Sequence, residues 1–92
     1  MNEICYAIAT DNNWTDKDGK MHSCTGYVAN YPSGISPFAA IHCAETFSSI
    51  KTAKNYFKRN KKEILNGHSP YQISHPRIVR IKVVQDYTSL LF

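Results

Sequence analysis

The sequence predicts one α+β domain over residues 1–92: a small antiparallel or mixed sheet of three to four strands with one amphipathic helix packed on one face. Apolar residues alternate near the N-terminus and again over residues 77–84, which is the period of a strand. Over residues 50–65 they recur every three to four positions, which is the period of a helix. The 92 residues, 42% of them apolar, suffice for a single modest core.

The first strand and its hairpin are predicted from the N-terminal third of the chain. Residues 3–10 place larger apolar side chains on one face and small ones on the other, and we expect the helix to pack against the small face. Residues 11–20, "DNNWTDKDGK", favour a loop or hairpin end. "MHSCTGYVANY", residues 21–31, predicts the returning strand, with Gly26 as a candidate bulge. The larger side chains are Ile4, Tyr6 and Ile8, and the small ones are Cys5, Ala7 and Ala9.

The segment before the helix carries a less regular pattern. "PSGISP", residues 32–37, predicts a break because proline and glycine interrupt regular structure. "FAAIHCA", residues 38–44, fits either a short strand or a helical turn, and we expect a strand.

The helix is the most clearly marked element. Its segment, "IKTAKNYFKRNKKEIL", covers residues 50–65. Ser48 or Ser49 is a suitable N-cap, and Gly67 lies just past the end, where a left-handed conformation is favoured. One stripe at the 3.6-residue period is apolar and predicts the buried face. The stripe consists of Ile50, Ala53, Phe57 and Ile64.

A loop and a strand complete the predicted fold. "NGHSPYQISHP", residues 66–76, predicts a loop because it contains two prolines and a glycine. "RIVRIKVVQDY", residues 77–87, alternates and predicts the last strand. The side chains expected to face inward are Val79, Ile81 and Val83, and those expected to face outward are Arg80 and Lys82.

Positive charge is concentrated in the helix. Residues 49–65 carry six Lys or Arg residues and one Glu, a net charge of +5, whereas the whole chain carries +4. The remainder of the chain therefore carries −1. Charge that is local in this way indicates a surface with a negative counterpart more specifically than the overall balance does.

Three observations bear on the compartment. No apolar run approaches the ~20 residues that a membrane span needs, so we expect no membrane association. The N-terminus carries an acid and no basic residue before its apolar part, unlike a secretory signal. An odd number of cysteines, three, fits free thiols in a reducing compartment. We therefore expect a cytoplasmic protein of the host cell.

The histidines and cysteines raise the question of a metal site. His22 and Cys24 share one face of the second strand, and with Cys43 and one further histidine they are candidates for tetrahedral zinc. The chain has no C-x-x-C pair, and free cysteines are more often small buried side chains. No nucleophile elbow, phosphate loop or deaminase motif occurs either. We expect no enzymatic activity and no cofactor, and a zinc-stabilised domain stays an alternative.

Five lysines of the helix form the candidate binding surface. At about 100° per residue, they fall within an arc of about 100° beside the apolar stripe. Such a row is an ordinary solvated face, a surface for nucleic-acid phosphates or a surface for an acidic protein. Trp14 is a candidate aromatic anchor, although closing the end of the core is its simpler role. The lysines are Lys51, Lys54, Lys58, Lys61 and Lys62, and Arg77, Arg80 and Lys82 of the last strand would widen their surface.

The layout resembles that of small accessory proteins of phages and mobile elements. Their phrase A-x-x-F-x-S-x-x-x-A-x-x-Y, which leads from a strand into a helix, is matched here over residues 44–56. The resemblance identifies no specific family and implies no functional residue. It implies a non-enzymatic inhibitor that binds a host protein or nucleoprotein complex, a role that anti-CRISPR proteins exemplify. Many such inhibitors are acidic and imitate DNA.

The basic helix departs from that acidic pattern. It would instead cover an acidic surface, or contact RNA or DNA within a complex. The sequence thus predicts stoichiometric binding to a host macromolecule. Direct nucleic-acid binding through the basic face of the helix is the alternative.

Overall fold

The computed structural model describes the backbone of residues 2–84 and the side chains of residues 4–81. They form a four-stranded antiparallel sheet with one helix packed on one face, which confirms the predicted α+β class. No helix among them combines the length and the apolar character that crossing a membrane requires. The strands β1 (Asn2–Thr15), β2 (Met21–Tyr31), β3 (Gly34–Ala39) and β4 (Gln72–Val84) lie in the order β3-β2-β1-β4; a 3-10 helix spans Ile41–Cys43 and α1 spans Ile50–Leu65.

A tight turn over residues 16–20 joins β1 to β2. The backbone N–H of Asp16 donates to the carbonyl of Lys20 at 2.9 Å, and Gly19 has a φ of +81°, which favours glycine. The loop predicted for residues 11–20 is confirmed only in this turn. Residues 11–15 belong to β1, because their backbones pair with β2 and residues 11–13 also pair with β4.

The chain that leads into the helix is hydrogen-bonded between β1 and β2. Those two strands pair from Ala9 with Tyr27 to Thr15 with Met21. Further along, Tyr6 and Phe47 exchange both of their backbone hydrogen bonds, at 2.9 and 2.8 Å. Glu45 donates its N–H to the carbonyl of Val28 at 2.9 Å. This insertion holds the start of α1 directly over the sheet.

The helix begins and ends where the sequence predicts. The Ser49 hydroxyl accepts a hydrogen bond from the Thr52 N–H at 3.1 Å, which satisfies one of the donors that the first turn leaves unpaired. Gly67, beyond the last helical residue, has a φ of +82°. Within the predicted apolar stripe, Ala53 and Ile64 are fully buried, whereas Ile50 stays 48% exposed.

The core lies on the Tyr6 and Ile8 face of β1, and this corrects the prediction that the helix covers the small-residue face. Ile8 is buried in one cluster with Val28, Phe47, Ala53 and Ile64. Tyr6 packs against that cluster. Larger side chains provide more apolar area to bury against a helix, which outweighs the closer approach that alanines allow.

Strand β4 presents the opposite alternation from the one predicted. Ile78 lies opposite Ile8 and Arg80 opposite Tyr6, so these two side chains share the helix face. Val79 lies opposite Ala7 and therefore belongs to the other face. An alternating strand specifies two faces but not which of them the helix covers. Residues 85–87 of the predicted strand, and the side chains of Lys82 and Val83, lie outside the described residues.

The segment predicted as a loop before residue 77 is partly strand. β4 begins at Gln72, and its pairing with β1 shifts by one residue. Two residues, His75 and Pro76, therefore oppose Thr10. His75 has a φ of +52° there, and Pro76 contributes no N–H to the sheet.

The predicted boundaries of β3 are also corrected. Residues 34–37, predicted as a break, pair with β2, and only the first two residues of the predicted 38–44 strand continue it. Residues Ile41–Cys43 form the 3-10 helix. The register shift of this hairpin lies at Val28, where Pro37 and Phe38 oppose one residue. Gly26 is therefore not a bulge.

Gly26 instead makes room for a buried polar contact. The Asn12 side-chain amide donates to the Pro37 carbonyl at 3.0 Å, and the Thr10 hydroxyl donates to the Asn12 side-chain oxygen at 2.8 Å. Both side chains are at most 1% exposed. A Cβ on Gly26 would collide with the Pro37 carbonyl oxygen and the Asn12 amide nitrogen.

We predict that Gly26→Ala lowers the free energy of unfolding by about 3 kcal/mol, because overpacking a rigid backbone site costs that much. Urea denaturation followed by circular dichroism measures the change. Thr25→Ala is the matched control: Thr25 is exposed on the same strand, so its substitution should change stability by less than about 0.5 kcal/mol. Equal stability of Gly26→Ala and wild type would contradict the close approach.

Candidate functional site

A groove runs between one flank of α1 and the strands β1 and β4. Its volume is about 780 Å³. Tyr6, Ile8 and Ile78 of the sheet lie along its apolar side, together with Ile50 and Phe57 of the helix. Its basic residues are Lys54, Lys58, Lys61, Arg77 and Arg80. We refer to this feature as the basic groove.

The lysines reach the basic groove because of their spacing. Lys54, Lys58 and Lys61 are four and three residues apart, so they lie above one another on a single flank of α1. From Lys54 to Lys61 the helix rises about 10.5 Å. Their alkyl stems can cover the apolar floor while the ammonium groups stay in water. Arg80 faces them from β4.

No carboxylate lines the basic groove in the described part of the chain. The single acid of the helix, Glu63, points elsewhere: its Oε2 accepts the N–H of Ile35 in β3 at 3.3 Å. Arg77 is the one groove cation held by a carboxylate among these residues, with Nη1 at 3.0 Å from Oδ1 of Asp11. Within the described part of the chain, the groove cations without a carboxylate partner are therefore Arg80 and the three lysines.

The structure divides the five lysines predicted as one surface. Lys54, Lys58 and Lys61 line the basic groove, whereas Lys51 and Lys62 are exposed outside it. Lys62 borders a smaller hollow near the helix C-terminus. The sequence did not identify Tyr6 or Phe57 as groove residues, although Phe57 was placed on the apolar stripe beside the lysines.

Trp14 lies away from the basic groove, in a separate aromatic cluster. Its ring stacks on His22 with centroids 5.2 Å apart, and it meets Tyr71 edge-on at 5.6 Å. Phe38 contacts Tyr71 at 5.1 Å and His68 at 5.4 Å. Trp14 is half-buried by these contacts, whereas Phe38 is 44% and Tyr71 39% exposed. The role of Trp14 as an anchor stays a prediction.

The stacked His22 also holds the carboxylate of Asp16. Its Nε2 lies 2.7 Å from Oδ2 of Asp16 and donates, since a carboxylate can only accept. The backbone N–H groups of Lys20 and Asp18 donate to Oδ1, each at 2.9 Å. The hydrogen bond from His22, followed by that from Lys20, holds the pKa of Asp16 below its ordinary value of 3.8.

We predict that His22→Phe, which keeps a ring against Trp14 but removes the donor, raises the pKa of Asp16 towards 3.8. NMR titration of the Asp16 carboxyl carbon measures it. Because the folded pKa is depressed, the stabilisation from Asp16 is complete above 3.8 and is lost as the pH falls through the folded value. His68→Phe, at the far end of the cluster, is the control that leaves this pKa unchanged. A wild-type Asp16 that titrates at 3.8 or higher would refute the assignment.

The zinc candidates are not assembled into a site. Within the described residues, no three His, Cys, Asp or Glu side chains gather so as to hold a metal ion. Nε2 of His22 is occupied by Asp16. Cys24 and Cys43 are exposed free thiols, which corrects the expectation that they are buried hydrophobic side chains. Cys5 is half-buried.

Comparisons of the chain with models of protein families, with curated proteins and with solved structures find no significant match. The resemblance to phage and mobile-element accessory proteins stays a prediction from the sequence. Among the described features, the basic groove combines charge, apolar surface and volume in one place. These are the properties of a binding site for a ligand that is both anionic and partly apolar.

Proposed function

We propose that this chain is a non-enzymatic binding domain whose basic groove holds an acidic segment of a protein partner. The observation that carries the proposal is the apolar floor flanked by Lys54, Lys58, Lys61 and Arg80, with no carboxylate among the described lining residues. The aliphatic stems of the segment's acidic side chains would cover the floor. Its carboxylates would pair with the cations at the sides.

The dimensions of the charged region favour a short protein segment over a long nucleic acid. The lysines span a helical rise of about 10.5 Å, which matches three or four residues of extended chain. Outside residues 49–65 the chain carries a net charge of −1, and among the described residues the groove draws only Arg77 and Arg80 from there. Nucleic-acid binding domains generally present a wider basic surface.

Single-stranded nucleic acid is the second candidate, and one observation favours it. Tyr6 and Phe57 line the basic groove together with cations of the helix and of β4. Aromatic rings that stack bases beside a positively charged channel are the usual way in which single strands are bound without sequence preference.

The proposed biological role is stoichiometric inhibition of a host protein or nucleoprotein complex in the cytoplasm. It is supported by the resemblance to phage and mobile-element accessory proteins and by the absence of catalytic motifs in the sequence. An inhibitor of this kind acts by occupying a surface. Its effect would therefore follow the affinity of the basic groove.

We predict that Lys54→Glu with Lys58→Glu weakens binding of a fluorescent ten-residue peptide of alternating Glu and Val by about 10- to 100-fold. The loss of two attractions of roughly 1 kcal/mol each corresponds to about 30-fold, which lies within that range. Fluorescence anisotropy at about 0.15 M salt measures the affinity.

The matched control is Lys51→Glu with Lys62→Glu, which changes the net charge equally but outside the basic groove. Screening at this ionic strength should limit its effect to about threefold. Equal losses in both double variants would show that overall charge and not the groove binds the peptide. In nuclease-treated host lysate, the control and the wild type should retain a protein partner that the Lys54 and Lys58 variant loses.

An oligo-dT strand tests the second candidate in the same assay. Four neutralised phosphates give a slope of about −3 when the logarithm of the binding constant is plotted against that of the salt concentration. If oligo-dT binds with this slope and more tightly than the peptide, the groove is a nucleic-acid site and the proposed acidic partner is wrong.

A further inference from the structure

Strand β4 forms one side of the sheet. Its inner edge pairs with β1, and among the described residues no strand pairs with its outer edge. The bulge at His75 and Pro76 interrupts the first part of the strand. From Arg77 onward the register with β1 is continuous. The outer edge of this regular part is a template for another extended chain.

The hydrogen bonds of Tyr6 show which residues of β4 present their backbone outward. Tyr6 directs both its N–H and its carbonyl to Phe47, away from β4. Arg80, which lies opposite Tyr6, is therefore in a non-hydrogen-bonded pair with it. In antiparallel geometry the N–H and the carbonyl of Arg80 then point to the outer edge. The alternation gives Ile78 the same orientation.

The residues with outward backbone groups are also residues of the basic groove. The side chains of Ile78 and Arg80 lie on the face of Ile8 and Tyr6 and line the groove. A strand added antiparallel to β4 would pair residue to residue with them. Those of its residues whose backbone bonds to β4 would place their side chains on the groove side, across from the lysines of α1.

We infer that the acidic segment binds as a fifth strand, antiparallel to β4 over residues 77–81, with its acidic side chains directed into the basic groove. The inference rests on the proposed function and adds the mode of recognition, strand addition at a sheet edge. Every pair of neighbouring strands in the sheet is antiparallel. Backbone hydrogen bonds would provide much of the affinity, and the groove would select acidic side chains.

Charge excludes a second copy of the chain as the preferred occupant. Two β4 edges paired antiparallel would bring Arg80 of both chains close together at one sheet face, and like charges in such positions are destabilising. Positive side chains on an edge strand are a common protection against self-association. The same charges attract an acidic strand.

Backbone methylation of the peptide probe tests the inference on the unmodified protein. In the peptide of alternating Glu and Val, methyl groups on the backbone nitrogens of the Glu residues remove the donors that face β4. We expect at least a tenfold loss of affinity by anisotropy, because the hydrogen bonds to the carbonyls of Ile78 and Arg80 disappear. Methyl groups on the Val nitrogens point outward, so this peptide of equal charge should bind within about threefold of the unmodified one.

The other results of the peptide-binding assay would contradict different parts of the inference. Equal binding of both methylated peptides and the unmodified one would show that charge alone holds the segment, which overturns the added strand but leaves the proposed function standing. Loss confined to the Val-methylated peptide would overturn the antiparallel arrangement. If the unmodified peptide does not bind at all, the proposed function fails as well. A dimer detected by sedimentation at the assay concentration would indicate that a second copy of the chain occupies the outer edge of β4, which overturns the inference.

Two variants of Arg80 test the same contact from the protein side. Arg80→Ala removes the charge, whereas Arg80→Pro removes the charge and the outward N–H. Arg80→Pro should bind the unmodified peptide at least about tenfold more weakly than Arg80→Ala. Thermal unfolding confirms that both variants are folded. Equal affinities in folded variants would count against the edge contact.

Discussion

The exchange of backbone hydrogen bonds between Tyr6 and Phe47 determines two features of the candidate site, the position of the helix and the backbone direction of β4. It holds the chain two residues before the Ser49 cap, so α1 starts over the Tyr6 and Ile8 face. It also occupies the inner backbone groups of Tyr6, which leaves Arg80 of β4 in a non-hydrogen-bonded pair with its backbone outward. The position of the helix and the outward direction of the Arg80 backbone therefore have one origin.

The two flanks of the helix differ in their charged contacts. On the β3 side, the Glu63 carboxylate accepts a hydrogen bond from the Ile35 N–H. On the β4 side no acid of α1 is present. Lys54, Lys58 and Lys61 lie exposed along that flank. Between the two flanks, Ala53 and Ile64 are fully buried in the core.

The sequence predicted those features that depend only on residues close together in the chain. The Ser49 cap, the Gly67 position and the row of lysines all follow from the geometry of one helix, and the sequence predicts them. The face of the sheet that the helix covers depends on Tyr6 meeting Phe47, a contact between residues far apart in the chain. The pattern within each strand does not predict that Arg80 and Tyr6 line the groove. The register between the strands places them side by side on the face of α1.

The position of the helix on the sheet distinguishes three of the five lysines from the other two. On the helix alone, Lys51 and Lys62 are equivalent to their neighbours, and a solvated face would explain all five. Beside Ile78 and Arg80, however, Lys54, Lys58 and Lys61 face an apolar floor and, past it, a strand edge that can donate and accept hydrogen bonds. Ammonium groups in water attract any anion weakly, whereas the outward backbone groups of β4 pair best with an extended chain. The proposed ligand, a protein strand rich in acids, would satisfy both, and its selectivity would come from the combination of the two features.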